Sequence, residues 1–158
     1  MLKMFRLVMV LFVASYTALA GAADMGAMVM HPWVREAPPT AAALGAFMVL
    51  QNHGAKPLVL VGAESVAAGE VQLHRTVMAD GMAKMIRQNS IEIPAGGQVE
   101  FKPGDYHLML MKPKQVLKAG DKVGITLKFK DGSSLPATFE VRAGMVMPMN
   151  HGNMHSGH

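Results

Sequence analysis

Turn-forming residues cut this chain into short apolar segments, and that punctuation leaves room for little besides β-structure. Asn52-His53-Gly54, Asp80-Gly81, Gly96-Gly97, Pro103-Gly104-Asp105, Gly120-Asp121 and Asp131-Gly132 separate runs rich in β-branched and other apolar residues. The runs are Val29–Val34, Ala46–Gln51, Leu58–Val61, Val71–His74, Lys84–Arg87, Val99–Phe101, Tyr106–Met111, Val123–Phe129 and Ala137–Val141. No stretch keeps a long helical period between start and stop signals. Many short strands at this spacing predict an all-β sandwich or small barrel. Residues 35–44 read as a Pro/Ala-rich connection, and Gly62–Gly69 as a loop or a helical turn.

The two ends read differently from this middle. Lys3 and Arg6 precede an apolar run from Leu7 to Ala14, and Ala18-Leu19-Ala20 offers the small residues that a signal peptidase needs. Residues 1–20 are therefore expected to be a cleaved secretory signal, with Ala22 and Ala23 as other cut points. The run is short for a bilayer span and no second one follows, so no stable membrane insertion is expected after cleavage. Residues 21–143 form the expected β domain. Residues 144–158, GMVMPMNHGNMHSGH, hold four methionines and three histidines among Gly, Asn and Ser, and read as a flexible tail.

Lys3 and Arg6 are two of the 15 basic residues, so the remainder carries 13 against 11 acidic ones. That balance gives nucleic-acid binding no electrostatic support. There is no cysteine, while there are 16 methionines. An exported chain meets an oxidising compartment, in which a thioether can bind a soft metal without forming disulfides. Methionine also fills core gaps, so position has to decide between the two roles.

Strand parity sorts the positions. In Tyr106–Met111, side chains alternate between faces. Tyr106, Leu108 and Leu110 share an apolar face that suits a core, which turns His107, Met109 and Met111 to the other side. Asp80-Gly81 is a two-residue hairpin signal. It sets Ala79 opposite Met82, Met78 opposite Ala83, Thr76 opposite Met85 and His74 opposite Arg87. His74 and Met85 then lie diagonally on one face, Met82 lies on the other, and Val71 and Leu73 mark the core side. Should the two strand regions meet, two imidazoles and two thioethers would form a His2Met2 set of neutral ligands, suited to Cu(I). Zn(II) prefers thiolate, imidazole or carboxylate, and a blue-copper electron carrier needs a cysteine.

The spacing His74-x10-Met85-x21-His107-x-Met109 resembles the signature of the PCuAC family of periplasmic copper chaperones. The segments VQLHRTVMADGMAKM, IEIPAGGQVEFKPGDYHLMLM and HPWVREAPP resemble that family too, and the likeness runs over about residues 29–142. It implies a cupredoxin-like Greek-key β-barrel or sandwich, and Cu(I) held by His74, Met85, His107 and Met109. It further implies a periplasmic location and delivery of copper to a partner such as cytochrome oxidase, often beside a Sco-type thiol protein. Met78 and Met111 share the ligand faces, as shields or as transient ligands. His53 lies in a turn and is expected in solvent, and His31 carries no pattern. A second copper locus, for Cu(I) or Cu(II), is expected in the tail at His151, Met154, His155 and His158, with Met145, Met147 and Met149 nearby.

The chain shows no catalytic carboxylate pair, no Ser/His/Asp grouping and no phosphate-binding Gly-rich loop, so a binding protein is expected rather than an enzyme. The alternatives are a copper buffer for metal tolerance and, ranked below it, a copper-dependent oxidase or monooxygenase.

Overall fold

A computed structural model describes residues 26–144. Ten strands and no helix make up these residues: β1 Ala27–Arg35, β2 Ala43–Asn52, β3 Leu58–Glu64, β4 Ala68–Ala79, β5 Met82–Arg87, β6 Ile91–Ile93, β7 Gln98–Phe101, β8 Tyr106–Pro113, β9 Lys122–Phe129 and β10 Ser134–Arg142. Seven of them close on themselves in the order β4-β8-β2-β1-β10-β9-β3, with β3 returning to β4. Closure removes the free edges that an open sheet would expose. β5 extends the barrel wall beyond β4, β6 pairs with β3 and β7 pairs with β2. The pairings are antiparallel apart from β1 with β10, which run parallel from Trp33↔Glu140 to Arg35↔Arg142. Among the described residues no helix is long and apolar enough to cross a membrane.

Alternation builds the core. Leu108 and Leu110 of β8 are fully buried, as are Ile125 and Leu127 of β9 and Phe139 and Val141 of β10. Val71 and Leu73 of β4 join them, so the inward faces of β4 and β8 are those that parity predicts. The buried Asn52 keeps its amide satisfied: Nδ2 donates to the carbonyls of Lys56 and Ile93, and Oδ1 accepts from the Gly54 N–H.

The hairpin forms in the predicted register, from Ala79↔Met82 to His74↔Arg87. Asp80 and Gly81 take φ of 52° and 74°, the pair of positive angles that a type I′ turn requires. Two local readings change. Gly62–Gly69 is neither a loop throughout nor a helical turn: β3 continues to Glu64, and β4 starts at Ala68 after a short turn. Ile91–Ile93 adds a strand whose three residues are too few to show a period.

Candidate metal centre

β4 and β8 pair directly, and this joins the two halves of the predicted set. His74 stands opposite His107, and Gln72 opposite Met109. Thr76 stands opposite Met85 across the hairpin. Because Leu73 and Leu108 face the core, His74, His107, Met109 and Met85 all lie on the outer face of the wall. The two imidazoles meet edge to face with ring centres 5.7 Å apart. An ion bonded to both rings at about 2 Å holds their centres no more than about 6 to 7 Å apart, so this spacing admits one ion between them.

That outer face is not open to solvent throughout. His107 is only 3% exposed. Phe47 of β2 lies 6.3 Å from it, centre to centre, and Trp33 of β1 stacks on Phe47 at 4.6 Å. Trp33 reaches that place through a bulge. The register shifts between Met30 and Trp33, where His31 takes a positive φ of 50°. Two residues of β1 there oppose one of β2, so Met30 and Trp33 face the same side although three positions apart. The Arg35 guanidinium caps both rings, 5.9 Å from that of Trp33 and 5.5 Å from that of Phe47. Gly45 pairs with Met109, and a Cβ at Gly45 would come within 3.0 Å of the Phe47 ring. Its missing side chain thus leaves room for the tip of the Phe47 ring over Gly45. The result is a shallow pocket of about 190 Å³, lined by Arg35, Gly45, Phe47, Thr76, Met85, Pro103, Gly104, His107 and Met109.

Hydrogen bonding leaves one nitrogen of each imidazole free. His107 Nδ1 lies 2.9 Å from the Asp105 carbonyl, which only accepts, so Nδ1 carries the proton and Nε2 the lone pair. His107 Nε2 and His74 Nδ1 are the buried side-chain nitrogens or oxygens without a partner among the described residues. Leaving such atoms unpaired costs about 1 to 3 kcal/mol each, a cost that a metal bond removes. Among the described residues no three His, Cys, Asp or Glu side chains gather to hold a metal. Met109 and Met85 are the soft donors on the same face as the two imidazoles, and a mixed imidazole–thioether set suits a soft ion. Burial comes first in lowering the His74 pKa below the ordinary 6.5, followed by the repulsion of His107 and of Arg87. The ring therefore stays neutral, and able to bind a metal, to a lower pH than a free imidazole does.

This shift has a sign for stability. The unfolded chain takes up a proton at His74 near the ordinary value, whereas the folded chain resists it, so stability is lost as pH falls from about 6.5. Denaturant midpoints of the metal-free protein are expected to fall between pH 6.5 and about 5, above the carboxylate range. A His74→Leu variant should show a shallower fall, and an unchanged slope would refute the assignment.

The remaining predicted residues divide. Met85 is on the outer edge strand and is 62% exposed. Met78, diagonal to it on the same face, is 71% exposed, while Met82 falls on the opposite face. Met111 stands opposite Glu70 and Ala43. His53 is exposed in its turn, 3.1 Å from the Gln51 side chain. The leader and the tail residues His151, Met154, His155 and His158 lie outside the described residues. Sequence reasoning assigned no role to Trp33, Arg35, Gly45 or Phe47. The usable signal was Pro32 inside an apolar run, since proline within a strand marks an edge or a bulge.

Known proteins share this fold. The family model described as "Putative lipoprotein LpqE-like" matches residues 27–141. A protein of Leifsonia xyli subsp. xyli, named "Putative lipoprotein Lxx21020", is 40% identical over 118 residues, covering 74% of this chain and 70% of that one. The solution structure of apo-DR1885 from Deinococcus radiodurans superimposes with a TM-score of 0.61 at 32% identity, covering 90% of this chain and 96% of that one; the same protein in its Cu(I) form gives 0.53. The copper-bound PCuAC domain from PmoF2 shares the fold, with a TM-score of 0.64 at 23% identity over 75% of this chain and 94% of that domain. The barrel is thus the cupredoxin-like architecture that the resemblance implied. With a matching family model over most of its length and PCuAC domains as its structural neighbours, the chain belongs to the LpqE-like family and is a PCuAC-family protein.

Proposed function

We propose that this chain is an exported copper carrier that holds Cu(I) with His74, Met85, His107 and Met109 and passes it to a partner's copper site. One observation carries the reading: two buried imidazole nitrogens without partners, on rings 5.7 Å apart, share one face of the wall with Met109 and Met85. The Cu(I) form of the related Deinococcus radiodurans protein and the lipoprotein name of the Leifsonia relative support binding and export. The donor set is neutral, so it leaves the ion's charge uncompensated and suits release more than permanent storage.

Burial suggests the order of release. His107 is covered by Phe47, whereas Met85 lies exposed on the last strand of the wall. An incoming ligand displaces Met85 first, forms a shared intermediate with the ion, and then draws it from Met109 and the imidazoles. Suitable recipients are a Sco-type thiol protein or a cytochrome oxidase copper site in the periplasm. Residues His151, Met154, His155 and His158 belong to the same proposal as a second copper locus.

Metal counting tests both loci. Protein lacking residues 1–20 is titrated with Cu(I) under reducing conditions against a chromogenic chelator. A version truncated after Ala143 should keep one tightly held ion, and the version with the tail should hold more. Failure of the truncated protein to compete for Cu(I) would overturn the main site. Equal stoichiometry in the two would remove the tail locus.

A further inference from the structure

A chain of side-chain hydrogen bonds runs from His74 to the next strand. His74 Nε2 lies 2.9 Å from Gln72 Oε1, Gln72 Nε2 donates to Glu70 Oε2 at 2.9 Å, and the Arg87 guanidinium donates to Glu70 Oε1 at 3.0 Å. Glu70, Gln72 and His74 alternate along β4 on the outer face, and Arg87 reaches them from β5. The direction of this chain follows from its far end. The Gln72 hydrogen bond and the Arg87 charge hold the Glu70 carboxyl below its usual range, so it is an ionised group that only accepts. Gln72 must then turn its NH2 toward Glu70 and its oxygen toward His74. An amide oxygen also only accepts, so His74 Nε2 must carry the ring proton. The lone pair is left on Nδ1, the buried atom without a partner.

We infer that Glu70 and Gln72 are positioning residues that fix the tautomer of His74, so that it binds copper through Nδ1 while His107 binds through Nε2. The inference rests on the copper-site reading above and deepens it. Sequence spacing treats the two histidines as equivalent, but their hydrogen bonds make them opposite. The Asp105 carbonyl fixes one ring and the Gln72–Glu70 relay the other. In the neutral form each ring thereby has its lone pair aimed before the ion arrives, so loading requires no change of tautomer. A metal-bound imidazole whose second nitrogen donates to a fixed acceptor is also a more basic ligand. The Arg87–Glu70 contact ties this relay to β5, two residues from Met85, so the most exposed ligand is anchored to the same network.

Long-range proton–nitrogen NMR of the histidine rings, run above their titration range, reads the tautomer directly. In metal-free protein His74 should show a protonated Nε2 and His107 a protonated Nδ1. Adding Cu(I) should perturb Nδ1 of His74 and Nε2 of His107. Gln72→Leu should mix the His74 tautomers, leave His107 unchanged and weaken Cu(I) binding by about tenfold, the lower end for loss of a ligand's hydrogen-bond partner. Glu70→Gln, which removes the acceptor-only end, should also mix them. Gln72→Glu, which restores an acceptor to Nε2, should return the wild-type tautomer. A proton on Nδ1 of His74 in the metal-free wild type overturns the inference, as does Cu(I) bound through Nε2. Because the first readout needs no copper, a protein with the expected tautomers that failed to bind Cu(I) would sink the carrier function and leave the relay standing.

Discussion

Cu(I) affinity is expected to collapse in the double variant His107→Ala/Met109→Ala, with the fold retained. Changing a group that merely supports a metal ligand already costs about 10- to 100-fold in affinity. Removing two ligands at once should exceed that, and competition against a chelator under reducing conditions measures it. The fold should survive for reasons visible around the site. His107 is nearly fully buried, but its Nε2 has no partner, so deleting the ring also deletes an unsatisfied buried atom. The Asp105 carbonyl that it leaves still accepts from the Thr76 N–H. Met109 lies on the outer face opposite Gly45, away from the core packing of Leu108 and Leu110. Wild-type affinity in a folded double variant would sink the assignment.

The largest loss of stability is expected one residue away, on the other side of the same strand. Leu108→Ala should destabilise the domain by about 3 to 4 kcal/mol, within the range for a buried leucine reduced to alanine. Leu108 is fully buried within the main hydrophobic cluster, and the rigid β4 and β2 on either side restrict collapse around the void. For a domain of this size the melting temperature should drop by about 10 to 15 °C. Cu(I) affinity measured well below that temperature should change far less, since His107 and Met109 stay paired through their backbone to β4 and β2. Thermal unfolding and chelator competition on one sample separate the two faces. A folded Leu108→Ala protein that had lost Cu(I) would show that the site depends on core packing rather than on strand pairing.

The contrast between these neighbours shows what could be read in advance. Alternation through Tyr106–Met111 separated Leu108 from His107 and Met109, because period two in an apolar strand directly reflects which face is buried. Asp80-Gly81 set the hairpin register, and with it the position of Met85, because few residue pairs tolerate two positive φ angles. The pairing of β4 with β8 was not legible from the residues. His74 and His107 are far apart in sequence, and no local propensity encodes a long-range ladder, so only the resemblance linked them. The aromatic cover was hidden for another reason. The bulge at His31 breaks parity within β1, so a reader counting by twos from Met30 places Trp33 on the wrong side. Nor does sequence distinguish the two histidines, whose difference arises from a backbone carbonyl on one side and a side-chain relay on the other.

The parallel pairing of β1 with β10 has a vectorial consequence. Both strands run toward the pocket: β1 ends at Arg35, which lines it, and β10 ends beside it at Arg142. Ala27, where β1 starts, pairs with Asn52 at the far end of β2. At 3.2 to 3.4 Å per residue the two ends of β1 stand about 25 Å apart. The polypeptide therefore enters the barrel at one pole and leaves it at the other. Gly144, the last described residue, lies against Arg35 and the Glu36 carbonyl. The start of β1 is thus held about 25 Å from the pocket, whereas the backbone at Gly144 lies beside Arg35 at the pocket's rim.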